Sequence, residues 1–256
     1  MNPAPPIRLF DTHCHVDLYP DPAKVVAECD RAGIYTIAVT NAPTVFSATH
    51  EMVAKSRYVR AAVGLHPELV MSHANDLDKF WSALEQTRYV GEIGLDYVTQ
   101  DQAIRARQRQ VLAQILERCA NYGDKVLTLH SRRAAGDVIE AIGPAYPGRV
   151  ILHWYAGTQR DLKRAVDYGF YFSINPHMAS AQSSTRLIQK MPPDRVVLET
   201  DGPFVAVEKR PAQPSDTRRV VECLASMWDK SESDTAELLF VNFQTLLQSP
   251  FARPLS

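Results

Sequence analysis

The amino-acid sequence predicts an α/β fold, a closed (β/α)8 barrel in one domain over residues 1–256. Eight short runs rich in Val, Ile, Leu and aromatics recur along the chain. Most are nearly continuously apolar, as strands buried on both faces of a parallel sheet are. Helical spacers separate them. The alternative, a doubly wound open sheet, usually carries a glycine-rich phosphate loop after its first strand. Here the first run ends in Asp11-Thr-His-Cys-His15 and no such loop follows.

In order, the expected strands are Ile7–His15, Tyr35–Thr40, Tyr58–His66, Tyr89–Asp96, Val126–Ser131, Val150–Tyr155, Phe170–Asn175 and Val196–Asp201. The clearest spacer places Ile104, Val111, Leu112, Ile115, Leu116, Cys119 and Ala120 on one stripe of period 3.6, with Gly123 as its C-terminal cap. Pro22–Ala32, Leu77–Gln86, Arg160–Tyr168 and Asp216–Trp228 read as shorter helices, and Ser233–Leu247 as a closing amphipathic one. The longest irregular piece, Gly202–Ser215, contains Pro203, Pro211 and Pro214. It follows the eighth strand and is expected over the barrel mouth.

Composition narrows the function. Apolar residues make up 45% and charged residues 22%, as in ordinary globular proteins. A chain of 256 residues buries a full core without metal staples, so a bound metal is expected to be catalytic. A net charge of −1 excludes DNA binding through a large basic surface. The four cysteines form no Cys-x-x-Cys pair, which speaks against a zinc ribbon and for reduced thiols in the cytoplasm. Neither a secretory signal nor a membrane span is expected.

The chemistry concentrates at the strand ends. His13 and His15 close the first strand, Glu92 lies in the fourth, and His130, His153 and Asp201 end the fifth, sixth and eighth. Strand C-termini converge on one face of such a barrel. Residues i and i+2 on a strand point the same way, so His13 and His15 both face the axis and Cys14 turns away. Imidazoles and carboxylates together suit Zn, Mn or Mg. Four His and two acids exceed the needs of one ion. Two are expected, with Glu92 bridging, His13, His15 and Asp201 on one, and His130 and His153 on the other. A single buried His is more often a hydrogen-bonded core residue. Five strands delivering ligand-type residues to one end are hard to obtain by packing alone.

Phe10-Asp-Thr-His-Cys-His15, Gly64-Leu-His-Pro67, Gly91-Glu-Ile-Gly-Leu-Asp-Tyr97, Leu129-His-Ser-Arg132, His153-Trp-Tyr-Ala-Gly157 and Glu199-Thr-Asp-Gly-Pro203 resemble, in order and spacing, the motifs of the TatD family of metal-dependent deoxyribonucleases. The likeness runs from residue 10 to about Asn242. It implies a TIM barrel of the metal-dependent hydrolase superfamily, phosphodiester hydrolysis in DNA, and the ligand set above. Three loops depart from the family pattern: Trp154-Tyr155-Ala156-Gly157 stands where Cys-Phe-Ser-Gly is usual, Lys209-Arg-Pro-Ala-Gln-Pro214 replaces an Arg-Gly and Asn-Glu-Pro stretch, and the loop after Asp96-Tyr97 is short and lacks the usual Arg. In this the chain is similar to diverged members in multi-gene anti-phage (Qat-type) defence systems, which implies protein partners from such a system.

With Glu92 and Asp201 as catalytic residues, Asp201 would accept the proton of an attacking water. His66 is expected to contact phosphate, or else to bond locally beside Pro67. Asp96 orients a water or holds its loop. Arg132 is expected to pair with phosphate, or else to be an exposed charge on the next helix. Trp154 and Tyr155 either stack a base of single-stranded DNA or DNA ends, or pack. Lys209 and Arg210 steer the backbone or are merely solvated. Glu199 supports a ligand from below. Arg133 reads as an exposed charge, and His177 as a residue at or near the mouth. The competing functions are an amide or ester hydrolase, such as a D-aminoacyl-tRNA deacylase or a deaminase, and a non-enzymatic recognition subunit. The absence of a lysine at the Glu92 position disfavours metals bridged by carbamylated lysine. The complete ligand set argues against a dead scaffold.

Overall fold

The computed structural model describes residues 7–73 and 75–248. Eight parallel strands form its centre: β1 Phe10–Cys14, β2 Tyr35–Ala38, β3 Val59–Ala61, β4 Tyr89–Gly94, β5 Val126–His130, β6 Arg149–Leu152, β7 Tyr171–Ile174 and β8 Val196–Leu198. Ladders join β1-β2-β3 and β4-β5-β6-β7-β8. Backbone bonds close the two seams between them. Val63 N donates to Tyr89 O and Gly91 N to Val63 O on one side; Asp201 N donates to His13 O and His15 N to Gly202 O on the other. The ring is therefore complete, and the expected barrel is the fold.

Helices follow the strands: α1 Pro22–Ala32, α2 Pro43–Val53, α3 Leu77–Leu84, α4 Gln102–Tyr122, α5 Ala135–Ile142, α6 Gln159–Asp167, α7 Pro176–Ser180, α8 Gln182–Ile188, α9 Thr217–Trp228 and α10 Glu232–Leu247. The stripe expected on α4 is buried, from Val111 to Cys119. Its first turn is capped by Asp101, and Gly123 ends it at φ 72°, a left-handed conformation that costs glycine little. Helix α10 backs the first strand, where Phe243 stacks on Phe10 at 4.3 Å. No described helix is long and apolar enough to cross a membrane.

Every strand ends short of its expected limit, and two of the shortenings bear on the site. β3 stops at Ala61 rather than His66, and β8 at Leu198 rather than Asp201. Beyond those points a neighbouring side chain takes up a backbone donor: Gly64 N bonds Thr40 Oγ1, and Thr200 N bonds Asp11 Oδ1. Helices α2, α5, α7 and α8 lie in spacers where the sequence pattern marks no helix limits. In α2 the buried residues Pro43, Phe46, Thr49 and Val53 include only two with a strong apolar signal, and β-branched residues lower its helix propensity. Gly202–Ser215 is also more ordered than expected, with a short antiparallel pair of β9 Ala206–Val207 and β10 Arg210–Pro211.

Candidate metal centre

The strand ends bring the polar residues together at the bottom of a cavity of about 670 Å³. His13 lies within β1, Glu92 within β4, and His130 closes β5. His15, His66, His153 and Asp201 sit in the segments that follow their strands. The site is buried: His13, His15, Glu92, His153 and Asp201 are each 5% exposed or less. Arg133, Trp154 and Asp201 take left-handed φ values of 57°, 40° and 52°, which for non-glycine residues costs about 1–3 kcal/mol each and turns the chain sharply at the mouth.

Four donor atoms converge. His13 Nε2 and His15 Nε2 lie 3.2 Å apart. Glu92 Oε2 is 3.6 and 3.4 Å from them, and Asp201 Oδ1 3.7 and 3.6 Å. A tetrahedron of bonds near 2.1 Å has edges of roughly 3.4 Å, so this set has the spacing of a cation's ligand shell. Glu92 turns its other oxygen the opposite way. Oε1 lies 2.6 Å from His130 Nδ1, 3.8 Å from His153 Nε2 and 3.8 Å from His66 Nε2. One carboxylate thus addresses both halves of the cluster, as a bridging ligand must.

The grouping in the second half differs from the expected partition. Donor atoms of His130 and His66 cluster with Glu92, whereas His153 clusters with Glu92 and His13. The rings of His153 and His13 stack at 3.7 Å, which draws His153 toward the first half. His130 is turned the other way, with Nε2 bonded to Asp96 Oδ2 at 2.8 Å. Electrostatics agree with a cation-binding role. Burial opposes positive charge on His15, His130 and His153. Neighbouring carboxylates more than offset this and raise their pKa values to about 9, 10 and 9. The same negative field would hold divalent cations in place of protons.

Supporting residues fix the donors. Glu199, fully buried, accepts from His153 Nδ1 at 2.7 Å and from Ser173 and Asn175, so His153 presents Nε2 to the centre. This is the supporting role expected of it. His13 Nδ1 is bonded to Thr128 Oγ1 at 2.8 Å. Asp11 accepts from His13 N, Thr200 N and Thr200 Oγ1, and so ties β1 to the segment carrying Asp201. Gln108 on α4 accepts from Asp96 N and donates to Pro67 O. Asp11, Thr128 and Gln108 were missed from sequence. Only Asp11 left a signal, an acid in phase with His13 and His15.

Several expectations for the rim change. Tyr155 does not serve as a stacking surface. It is 1% exposed, packs edge-on against Phe172 and donates its hydroxyl to Thr158 O. Asp96 is buried and bonds His130 and Val98 N, so it holds its loop and a histidine rather than meeting solvent. Arg210 is engaged bidentately by Asp216 at 2.7 and 2.8 Å and is not free to steer a phosphate chain. Arg132, Trp154 and His66 line the cavity, and so does Arg133. His177 is not among the residues lining the cavity; its ring meets that of Trp154 at 5.6 Å. Phe204, 60% exposed and edge-on to His15 at 4.9 Å, is a cavity residue that sequence reasoning did not single out. It stands in the irregular proline-rich segment, where no periodic pattern marks it.

Comparison with known proteins agrees with this geometry. The family model described as TatD related DNase matches residues 10–248. The chain belongs to the TatD-related DNase family. It is 28% identical to the Escherichia coli K12 uncharacterized metal-dependent hydrolase YjjV, over 95% of this chain and 99% of the relative. It is 26% identical to the mouse putative deoxyribonuclease TATDN3, over 94% of this chain and 91% of the relative. The crystal structure of YjjV superposes with a TM-score of 0.82 at 27% identity, covering 94% of this chain and 98% of the other. As a TatD-family protein the chain is a metal-dependent hydrolase, and the clustered His, Glu and Asp donors are where its metal chemistry is expected.

Proposed function

We propose that this TatD-family hydrolase is a deoxyribonuclease that cleaves phosphodiester bonds in single-stranded DNA or at DNA ends, using two divalent cations. The observation that carries the proposal is Glu92, whose two oxygens face two sets of donors. His13, His15, Asp201 and Glu92 Oε2 would hold one cation; Glu92 Oε1 and His130, with His153 or His66, each 3.8 Å from that oxygen, would hold the other. Cations bound there would lower the pKa of a water and neutralise charge on the phosphoryl oxygens. Asp201 opens onto the cavity and accepts the proton of the attacking water. Arg132 and Arg133 at the rim meet phosphate, and Trp154 and Phe204 offer aromatic faces to unstacked bases. Arginines and aromatics on one rim suit a nucleic-acid strand better than a small amide.

The test uses labelled single-stranded DNA with added Mg²⁺, Mn²⁺ or Zn²⁺. Glu92→Ala and Asp201→Ala are each expected to lower kcat about 10²–10³-fold. Near-wild-type cleavage by either would overturn the two-cation reading. D-Aminoacyl-tRNA assayed in parallel decides between this reading and amide or ester hydrolysis. A role in anti-phage defence rests on sequence likeness alone. Equal plaque counts on hosts expressing wild type and Glu92→Ala would remove it.

A further inference from the structure

The cavity over Glu92 does not end at Trp154. Beyond this indole lies a groove of about 410 Å³, lined by Trp154, Ala156, Gln159, Ser183, Ser184 and Arg186 among others. Trp154 and Ala156 line both spaces, so the groove continues the cavity. One wall is the segment after β6 and the other the α7–α8 region after β7, which places the groove on the same barrel face as the metal centre.

The dividing residue is well held. Trp154 has φ 40°, its ring is tilted against His177 at 5.6 Å, and it packs against the small cluster of Val205, Val207 and Ala212. The groove's chemistry favours an anion. No carboxylate is among its lining residues. Arg186 is exposed and has no ion-pair partner among the described residues. Ser183 and Ser184 add two hydroxyl donors beside it.

We infer that this groove is a second nucleotide subsite for single-stranded DNA. A strand whose scissile phosphate lies at the metal centre sets its neighbouring nucleotide over Trp154, base against indole. The following phosphate meets Arg186, Ser183 and Ser184. Stacking on an indole tolerates any base, and a guanidinium pairs bidentately with phosphate, so the subsite selects for length rather than sequence. The inference rests on the phosphodiesterase reading above and names the part of the substrate that reading leaves open.

Oligothymidylates of two and six nucleotides, cleaved with Mn²⁺ present and followed by chromatography, test it. Wild type is expected to show a KM about tenfold lower for the hexamer. Arg186→Glu, and independently Ser184→Asp, are expected to erase that advantage. Lys190→Glu makes the same charge change outside the groove and is expected to keep the advantage. Matching thermal midpoints establish that the variants fold. Absence of a length preference overturns the subsite and leaves the deoxyribonuclease reading intact. So does a preference that survives both groove variants, or one that Lys190→Glu abolishes equally. If wild type cleaves neither oligomer, the deoxyribonuclease reading falls and the subsite with it.

Discussion

His153 is positioned through the nitrogen that does not face the cavity. Its Nδ1 donates to Glu199, and Glu199 is itself held by Ser173 and Asn175 inside the barrel. A carboxylate behind an imidazole fixes the ring's tautomer and strengthens the donor on its other side. Glu199→Gln keeps the shape and removes the charge. It is expected to weaken metal affinity about 10–100-fold, read by competition with a chelator. An unchanged affinity would show that His153 needs no such anchor. The sequence makes Glu199 legible through its i−2 spacing from Asp201. Thr128 is not legible in that way, because a threonine within a buried strand reads as packing until its hydroxyl is seen 2.8 Å from His13 Nδ1.

At the scale of elements, the site depends on how closely β4 and β5 approach. Gly94, the last residue of β4, has φ 144°, and a Cβ placed there would stand 2.0 Å from His130 O. Side-chain-bearing residues rarely adopt that conformation, and the neighbour is backbone of the strand that carries His130. Gly94→Ala is therefore expected to destabilise the fold by about 3 kcal/mol or more, measured by urea unfolding. A loss under about 1 kcal/mol would mean that the two strands can separate without cost. The same element pair shows why strand limits are hard to read from sequence. The β4–β5 register shifts between Val90 and Ile93, around Glu92, and no apolar pattern records a bulge.

For the whole molecule, a cation held at the proposed centre would tie the closed ring together structurally as well as serve its chemistry. The first donor set draws on β1, on β4 and on the segment after β8, so an ion there links three parts of the barrel. A ligand at 100 times its Kd stabilises a fold by about 2.7 kcal/mol, which for a domain of this size raises Tm by about 5–10 °C. Zn²⁺, Mn²⁺ or Mg²⁺ is expected to produce that rise in the metal-stripped protein, with EDTA reversing it and His13→Ala with His15→Ala abolishing it. A Tm indifferent to all three ions would contradict the assigned centre. The net charge of −1 has its consequence at this scale too: under the proposed function, DNA affinity would have to come from local cations such as Arg132, Arg133 and Arg186.

The sequence by itself determined the barrel and the order of its eight strands, and it singled out six candidate metal ligands. Buried strands need apolar runs, and ligands need His, Asp or Glu; both leave a local mark. Tertiary structure alone decided the rest. It grouped His130 with His66, buried Tyr155, tied Arg210 to Asp216, and opened a groove behind Trp154. Each of these depends on residues far apart in the chain meeting in space. Side-chain direction and neighbouring charge are set there, and no periodicity along the sequence encodes them.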